Sequence, residues 1–155
     1  MQWVCSLSPG FLRSANVKLA VKSDYATRAV LELSRAADGG AARRVEDLAQ
    51  AAGVSGNYLV QILIELKSHG IVRSVRGKEG GYLLARRPED ITLGDVLRCV
   101  HGEILESPAI GDENCPESLR QAWKALREAA GKAADGIDFR TLLEQGTSKE
   151  EMYYI

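Results

Sequence analysis

The segment CVHGEILESPAIGDENCPES, from Cys99 to Ser118, holds two of the three cysteines and one of the two histidines in the chain. Thiolates and imidazoles are ligands for zinc and for iron–sulfur clusters, and a site of either kind takes about four protein ligands. Cys99, His101, Cys115 and a carboxylate could be assembled on paper, with Asp24 of a second copy as the acid. A redox thiol at Cys115 or Cys99 is a second use of the same residues. The positive end of a helix would favour a thiolate at Cys115, whereas Asp112, Glu113 and Glu117 oppose it, so no unusual reactivity is expected there. The bland alternative is a loop between helices, with His101 on the surface. The surrounding elements decide between these readings.

With 155 residues, 45% hydrophobic and 26% charged, the chain fits one soluble domain, or one small domain with an appendage. No apolar run approaches the roughly 18 residues of a membrane span, so no membrane partner is expected. The N-terminal stretch lacks a basic start followed by a continuous apolar run. A cytoplasmic protein with reduced thiols is therefore expected. The net charge of −1 conceals a polarity: Val17 to Arg87 carries 12 Lys and Arg against 7 Asp and Glu, or +5, and Pro88 to Ile155 carries 7 against 14, or −7. A basic first half suggests contact with a polyanion. The glycines at 77, 80 and 81 match neither dinucleotide nor P-loop spacing, and no nucleophile–base pair stands out, so an enzyme is not expected.

Apolar residues at Ala26, Ala29, Val30, Leu33 and Ala37 keep helical spacing, with Ser23 as the expected N-cap and Gly39 and Gly40 as the end. Val45, Leu48, Ala49 and Ala52 make a two-turn helix stopped by Gly53. After GVS, Ser55 can cap a third helix with Leu59, Ile62, Leu63 and Leu66 on one stripe. A short helix, a glycine-containing turn and a longer helix form a helix-turn-helix signature. IVRSVR alternates like a strand, RGKEGG is a hairpin turn and YLLA a second strand, which together make the wing of a winged helix. Thr92 and Asp95 suit a capping box. Pro116 at a first helical position makes Cys115 the expected N-cap of a long helix. On that helix Leu119, Ala122, Trp123, Leu126, Ala130 and Ala133 form an apolar stripe, read as a homodimerisation surface. Asp138 is expected to cap a last short helix carrying Phe139, Leu142 and Leu143.

SDYATRAV, VSGNYLVQILIELKSHGIV, SVRGKEGGYLLAR and PEDITLGDVL follow one another with the order and spacing of the Rrf-two family (Rrf2) of bacterial transcription regulators. The chain resembles that family from about Val17 to its end, and the terminal EMYYI looks most like the cluster-free, cysteine-metabolism (CymR) branch. The resemblance implies a mainly α fold with a small β-hairpin wing, organised as a winged helix-turn-helix domain at 17–88 and a linker helix, sensory-type loop and dimerisation helix at 89–155. Residues 1–16 fall outside it.

A helix-turn-helix places its second helix in the major groove of double-stranded DNA. The face opposite the leucine stripe carries Asn57, Val60, Gln61 and Ile64. Asn57 and Gln61 suit an adenine edge, and Val60 suits a thymine methyl. Lys22, Tyr25, Ser55 and Tyr58 are candidates for phosphate contacts. Arg76 resembles the family arginine that enters the minor groove from the wing, Lys78 adds charge beside it, and Gly77 shapes the tip. Cluster-binding relatives carry three closely spaced cysteines in the loop; here only the third place is kept, by Cys115, and PAIGDE runs through the other two. The resemblance thus implies a homodimeric repressor on a palindromic operator with no iron–sulfur cluster, and a metabolic enzyme as a conceivable co-regulator. A redox- or cluster-sensing regulator using Cys115 and Cys99 stays open, as does a winged-helix module that binds protein.

Overall fold

The computed structural model describes residues 21–153. The 1–16 extension, the start of the resemblance at Val17 and the last two residues of EMYYI lie outside the described residues. Helix α1 spans Val21–Ala37, α2 Val45–Ala52 and α3 Gly56–Ser68. Strands β1 (Val72–Val75) and β2 (Gly81–Leu84) follow, then α4 (Leu93–His101), α5 (Glu117–Asp135) and α6 (Phe139–Tyr153). The fold is mainly helical with one small antiparallel hairpin, as the sequence predicts.

The first three helices share one core. Leu48 of α2 and Leu59, Ile62, Leu63 and Leu66 of α3 are fully buried against Ala26, Ala29 and Val30 of α1. Each large apolar side chain so buried contributes about 1.5–3 kcal/mol relative to exposure. The tight turn between α2 and α3 rests on Gly53, which takes the left-handed conformation (φ 70°, ψ 37°). Its N–H and that of Val54 donate to the last carbonyls of α2, at Gln50 and Ala49 respectively. Ser55 caps α3 as expected, accepting from the Tyr58 N–H at 3.4 Å. His69 closes the other end through a ring-nitrogen contact of 3.0 Å to the Glu65 carbonyl.

The hairpin pairs Val72 with Leu84 and Val75 with Gly81. A third backbone segment joins it: Arg43 N–H donates to the Tyr82 carbonyl at 2.9 Å, and Tyr82 N–H donates back at 2.8 Å. This bridge forces glycine at 81. A Cβ built there would lie 2.3 Å from the Arg43 carbonyl oxygen, and its φ of +153° disfavours other residues. A one-residue bridge leaves no periodic pattern, which is why sequence reading missed it.

Two capping expectations change, and one helix is longer than expected. Ser23 lies inside α1, which is already helical at Val21; it is buried, its carbonyl accepts from Thr27 Oγ1, and its hydroxyl has no partner. Cys115 is not the cap of α5. Pro116 is the half-in residue (ψ 134°), because its own carbonyl accepts the first helical bond, from Arg120 N–H at 3.0 Å. Asp138 caps α6 as expected, accepting from Thr141 N–H and Oγ1 at 2.8 Å, but α6 runs for 15 residues and is not short. The capping box of Thr92 and Asp95 is formed in both directions at 3.1 Å.

The chain returns to the winged helix after α5. Leu93 N–H donates to the Ile137 carbonyl, Phe139 N–H donates to the Ile91 carbonyl, and Phe139 is wholly buried in the common core. Helix α6 therefore packs on α1. Helix α5 has one buried residue among those described, Ala134, and near its end Asp135 pairs with Arg98 of α4. The helix also packs on a short turn at Pro108–Ile110.

Candidate nucleic-acid interface

Helix α3 divides cleanly. Asn57 and Gln61 are exposed, Val60 is half-buried, and Ile64 is 52% exposed, all opposite the fully buried leucine stripe. The Ser55 cap leaves the N-terminal turn of α3 at the surface. Beside it the ring of Tyr58 stands edge-on to Tyr25 of α1, with centroids 6.0 Å apart and planes at 86°. Such a pair stiffens both side chains while Tyr58 stays 40% exposed. Lys22 is engaged: its ammonium lies 2.6 Å from Glu65 on α3, in a half-buried ion pair.

The wing tip is braced. Gly80 N–H donates to the Gly77 carbonyl at 2.9 Å, and Gly77 adopts φ 115°. Arg44, just before α2, donates to the Lys78 carbonyl at 3.2 Å. Lys67 of α3 donates to Ser74 of β1 at 2.7 Å. Arg76 and Lys78 stay exposed. The wing is thereby fixed to both helices of the helix-turn-helix. Arg44 and Lys67 form these ties and Glu65 the pair with Lys22; sequence reading missed all three, since contacts across 7 to 43 residues have no local signature.

In the loop region, Cys99 sits half-buried on α4. Its thiol is pushed up to about 11, chiefly by burial, with the Glu65 carboxylate adding and Lys22 opposing. Cys115 Sγ lies 3.7 Å from the Pro116 carbonyl, and its backbone N–H donates to the Asp112 carbonyl. His101 is exposed at the end of α4, and Asp24 is paired with Arg28 at 2.9 Å.

Residues 19–145 match the family described as Rrf2, iron-dependent transcriptional regulator. The chain belongs to the Rrf2 family. Rrf2-type relatives include the HTH-type regulator CymR of Bacillus subtilis, 29% identical over 137 residues, covering 88% of this chain and 97% of that one. A candidate HTH-type transcriptional regulator of Mycobacterium tuberculosis is 38% identical over 136 residues, covering 84% and 78%. Among solved structures, B. subtilis CymR superposes with a TM-score of 0.72 at 28% identity, covering 83% of this chain and 98% of that one. T. potens IscR superposes with a TM-score of 0.71 at 28% identity, covering 84% and 89%. The fold is thus that of the Rrf2 winged-helix regulators, and no described helix is long and apolar enough to cross a membrane.

The iron in the family's description can be weighed against the donors of this Rrf2 chain. Among the described residues no three His, Cys, Asp or Glu side chains gather to hold a metal ion. The Cys99 thiol lies beside the Lys22–Glu65 ion pair, Asp24 pairs with Arg28, and Cys115 Sγ lies 3.7 Å from the Pro116 carbonyl. Among the described residues, the roughly four protein donors of a cluster are not brought together.

Proposed function

We propose that this Rrf2 protein is a homodimeric, sequence-specific DNA-binding repressor that acts in the cytoplasm on a palindromic operator, without an iron–sulfur cluster. The observation that carries the reading is the exposed face of α3, with Asn57, Val60 and Gln61 outward, framed by the cations Arg76 and Lys78 on a braced wing. Asn57 and Gln61 read adenine edges in the major groove, and Val60 meets a thymine methyl. Tyr25, Ser55 and Tyr58 contact phosphates, while Lys22 contributes less because Glu65 shares its charge. Arg76 enters the adjacent minor groove, where a narrow A·T tract concentrates negative potential.

The dimer reading is supported by α5. Leu119 and Leu126 are 48% and 51% exposed, and Ala122 and Ala133 are exposed beside them, with Trp123 and Ala130 half-buried. An apolar stripe left open on one chain favours association with a second. Two copies would present two recognition helices about 34 Å apart, one turn of duplex. The likeness to B. subtilis CymR, a global cysteine regulator, makes cysteine metabolism the proposed regulatory setting, with a metabolic enzyme as the proposed co-regulator.

The test is anaerobic purification followed by light scattering, an absorption spectrum with iron assay, and selection from a random DNA duplex library. A colourless dimer that enriches a palindrome supports the reading. A stoichiometric chromophore overturns its cluster-free part, and failure to enrich any sequence overturns the DNA-binding part.

A further inference from the structure

Ile64 has no role in the core. It lies seven residues beyond Asn57, close to two full turns, so both project from the same line of α3 about 10 Å apart along the axis. Val60 falls one turn before Ile64 on the neighbouring ridge. The positions 57, 60, 61 and 64 have the i, i+3, i+4, i+7 pattern by which a recognition helix addresses successive bases. Ile64 is 52% exposed, whereas every other isoleucine or leucine of α3 is fully buried. Lys67, the next cation along the helix, donates to Ser74 of the wing.

An isoleucine can neither donate nor accept a hydrogen bond. Against an amino group or a purine acceptor it would remove water and return no partner. The one feature of the major groove that suits it is the 5-methyl group of thymine. Its branched side chain is also stiff at χ1, so docking costs little rotamer freedom. The base step is 3.4 Å, so a 10 Å offset along the helix corresponds to about three base pairs.

We infer that Ile64 is a specificity-determining residue, packing on the methyl of a thymine about three base pairs along the groove from the base read by Asn57. This rests on the proposal that α3 enters the major groove. Ile64 then works in two ways, attracting thymine and rejecting polar base edges.

The test uses full-length protein and a random duplex library, selected in parallel with wild type, Ile64→Ala and Ile64→Val. Wild type is expected to enrich a half-site with a thymine about three base pairs from the adenine read by Asn57. Ile64→Ala should lose preference at that position alone, with an unchanged melting temperature because the residue is exposed. Replacing that thymine by deoxyuridine deletes only the methyl. Wild type and Ile64→Val should then lose about fourfold in affinity, the factor for one buried methyl, and Ile64→Ala nothing. Equal sensitivity of wild type and Ile64→Ala to deoxyuridine, or none in wild type, overturns the inference while leaving DNA binding intact. No enrichment by wild type overturns the DNA reading itself, and this inference with it.

Discussion

Lys22 on α1 and Glu65 on α3 form a half-buried ion pair, Nζ to Oε2 2.6 Å, which joins the first helix to the outer helix of the helix-turn-helix. The pair lies beside the Cys99 thiol of α4, whose protonation responds to both charges. Three elements therefore meet at one polar junction beneath the proposed reading face.

That junction separates two kinds of lysine. An unpaired lysine that contacts a phosphate releases about one counterion, so Lys78→Ala should lower the salt slope of DNA binding by about 0.9. Lys22→Ala should lower it by less, because Glu65 already supplies a counter-charge. Filter binding across a salt series measures both; equal slopes for the two variants would refute the distinction.

The wing depends on glycine at 81. Gly81→Ala sets a Cβ 2.3 Å from the Arg43 carbonyl and strains the backbone, so the bridge to Tyr82 must open. A loss of about 2 kcal/mol in stability is expected. DNA affinity should fall further than stability alone explains, since Arg76 loses its placement. Thermal melts and mobility shifts of the same preparation check this.

Cys99 is raised from an ordinary value of 9.0 to about 11. The folded state thus keeps its proton where the unfolded state has lost it. Its contribution to stability is constant below pH 9 and declines as pH rises from 9 to 11. Native protein at pH 8 should react slowly with iodoacetamide at Cys99 and quickly after unfolding. The wild type should lose more stability than Cys99→Ala between pH 9 and 11. Rapid native alkylation at that position would contradict the burial argument.

Leu126→Glu places a charge in the middle of the open stripe of α5. Because Leu126 is 51% exposed on one chain, the variant should fold. Light scattering should report a monomer at micromolar concentration, and operator affinity should fall at least about tenfold with the loss of the second half-site. A dimer of undiminished strength would move the interface elsewhere.

Much of this architecture could be read from local signals. The Ser55 cap, the Thr92–Asp95 capping box, Gly53 in its turn, the leucine stripe of α3 and the hairpin all follow from patterns within a few residues, where propensity and periodicity act. The outward placement of Asn57, Val60 and Gln61 follows too, since burying Leu59, Ile62, Leu63 and Leu66 leaves only one face for them. Where local logic competed with packing it failed. Ser23 has the right chemistry for a cap, yet the helix begins before it; Cys115 precedes Pro116, but the proline's own carbonyl starts the ladder.

The sequence by itself determined the family, the helical order and the composition of the reading face. Only the tertiary structure decided that Lys22 is committed to Glu65, that Arg43 closes the wing against Tyr82, and that Phe139 returns α6 to the core. Each of these contacts joins residues far apart in the chain. The physical reason is distance along the chain. Spacing within a helix or hairpin is encoded by neighbours, whereas a pairing across 43 residues depends on how whole elements pack.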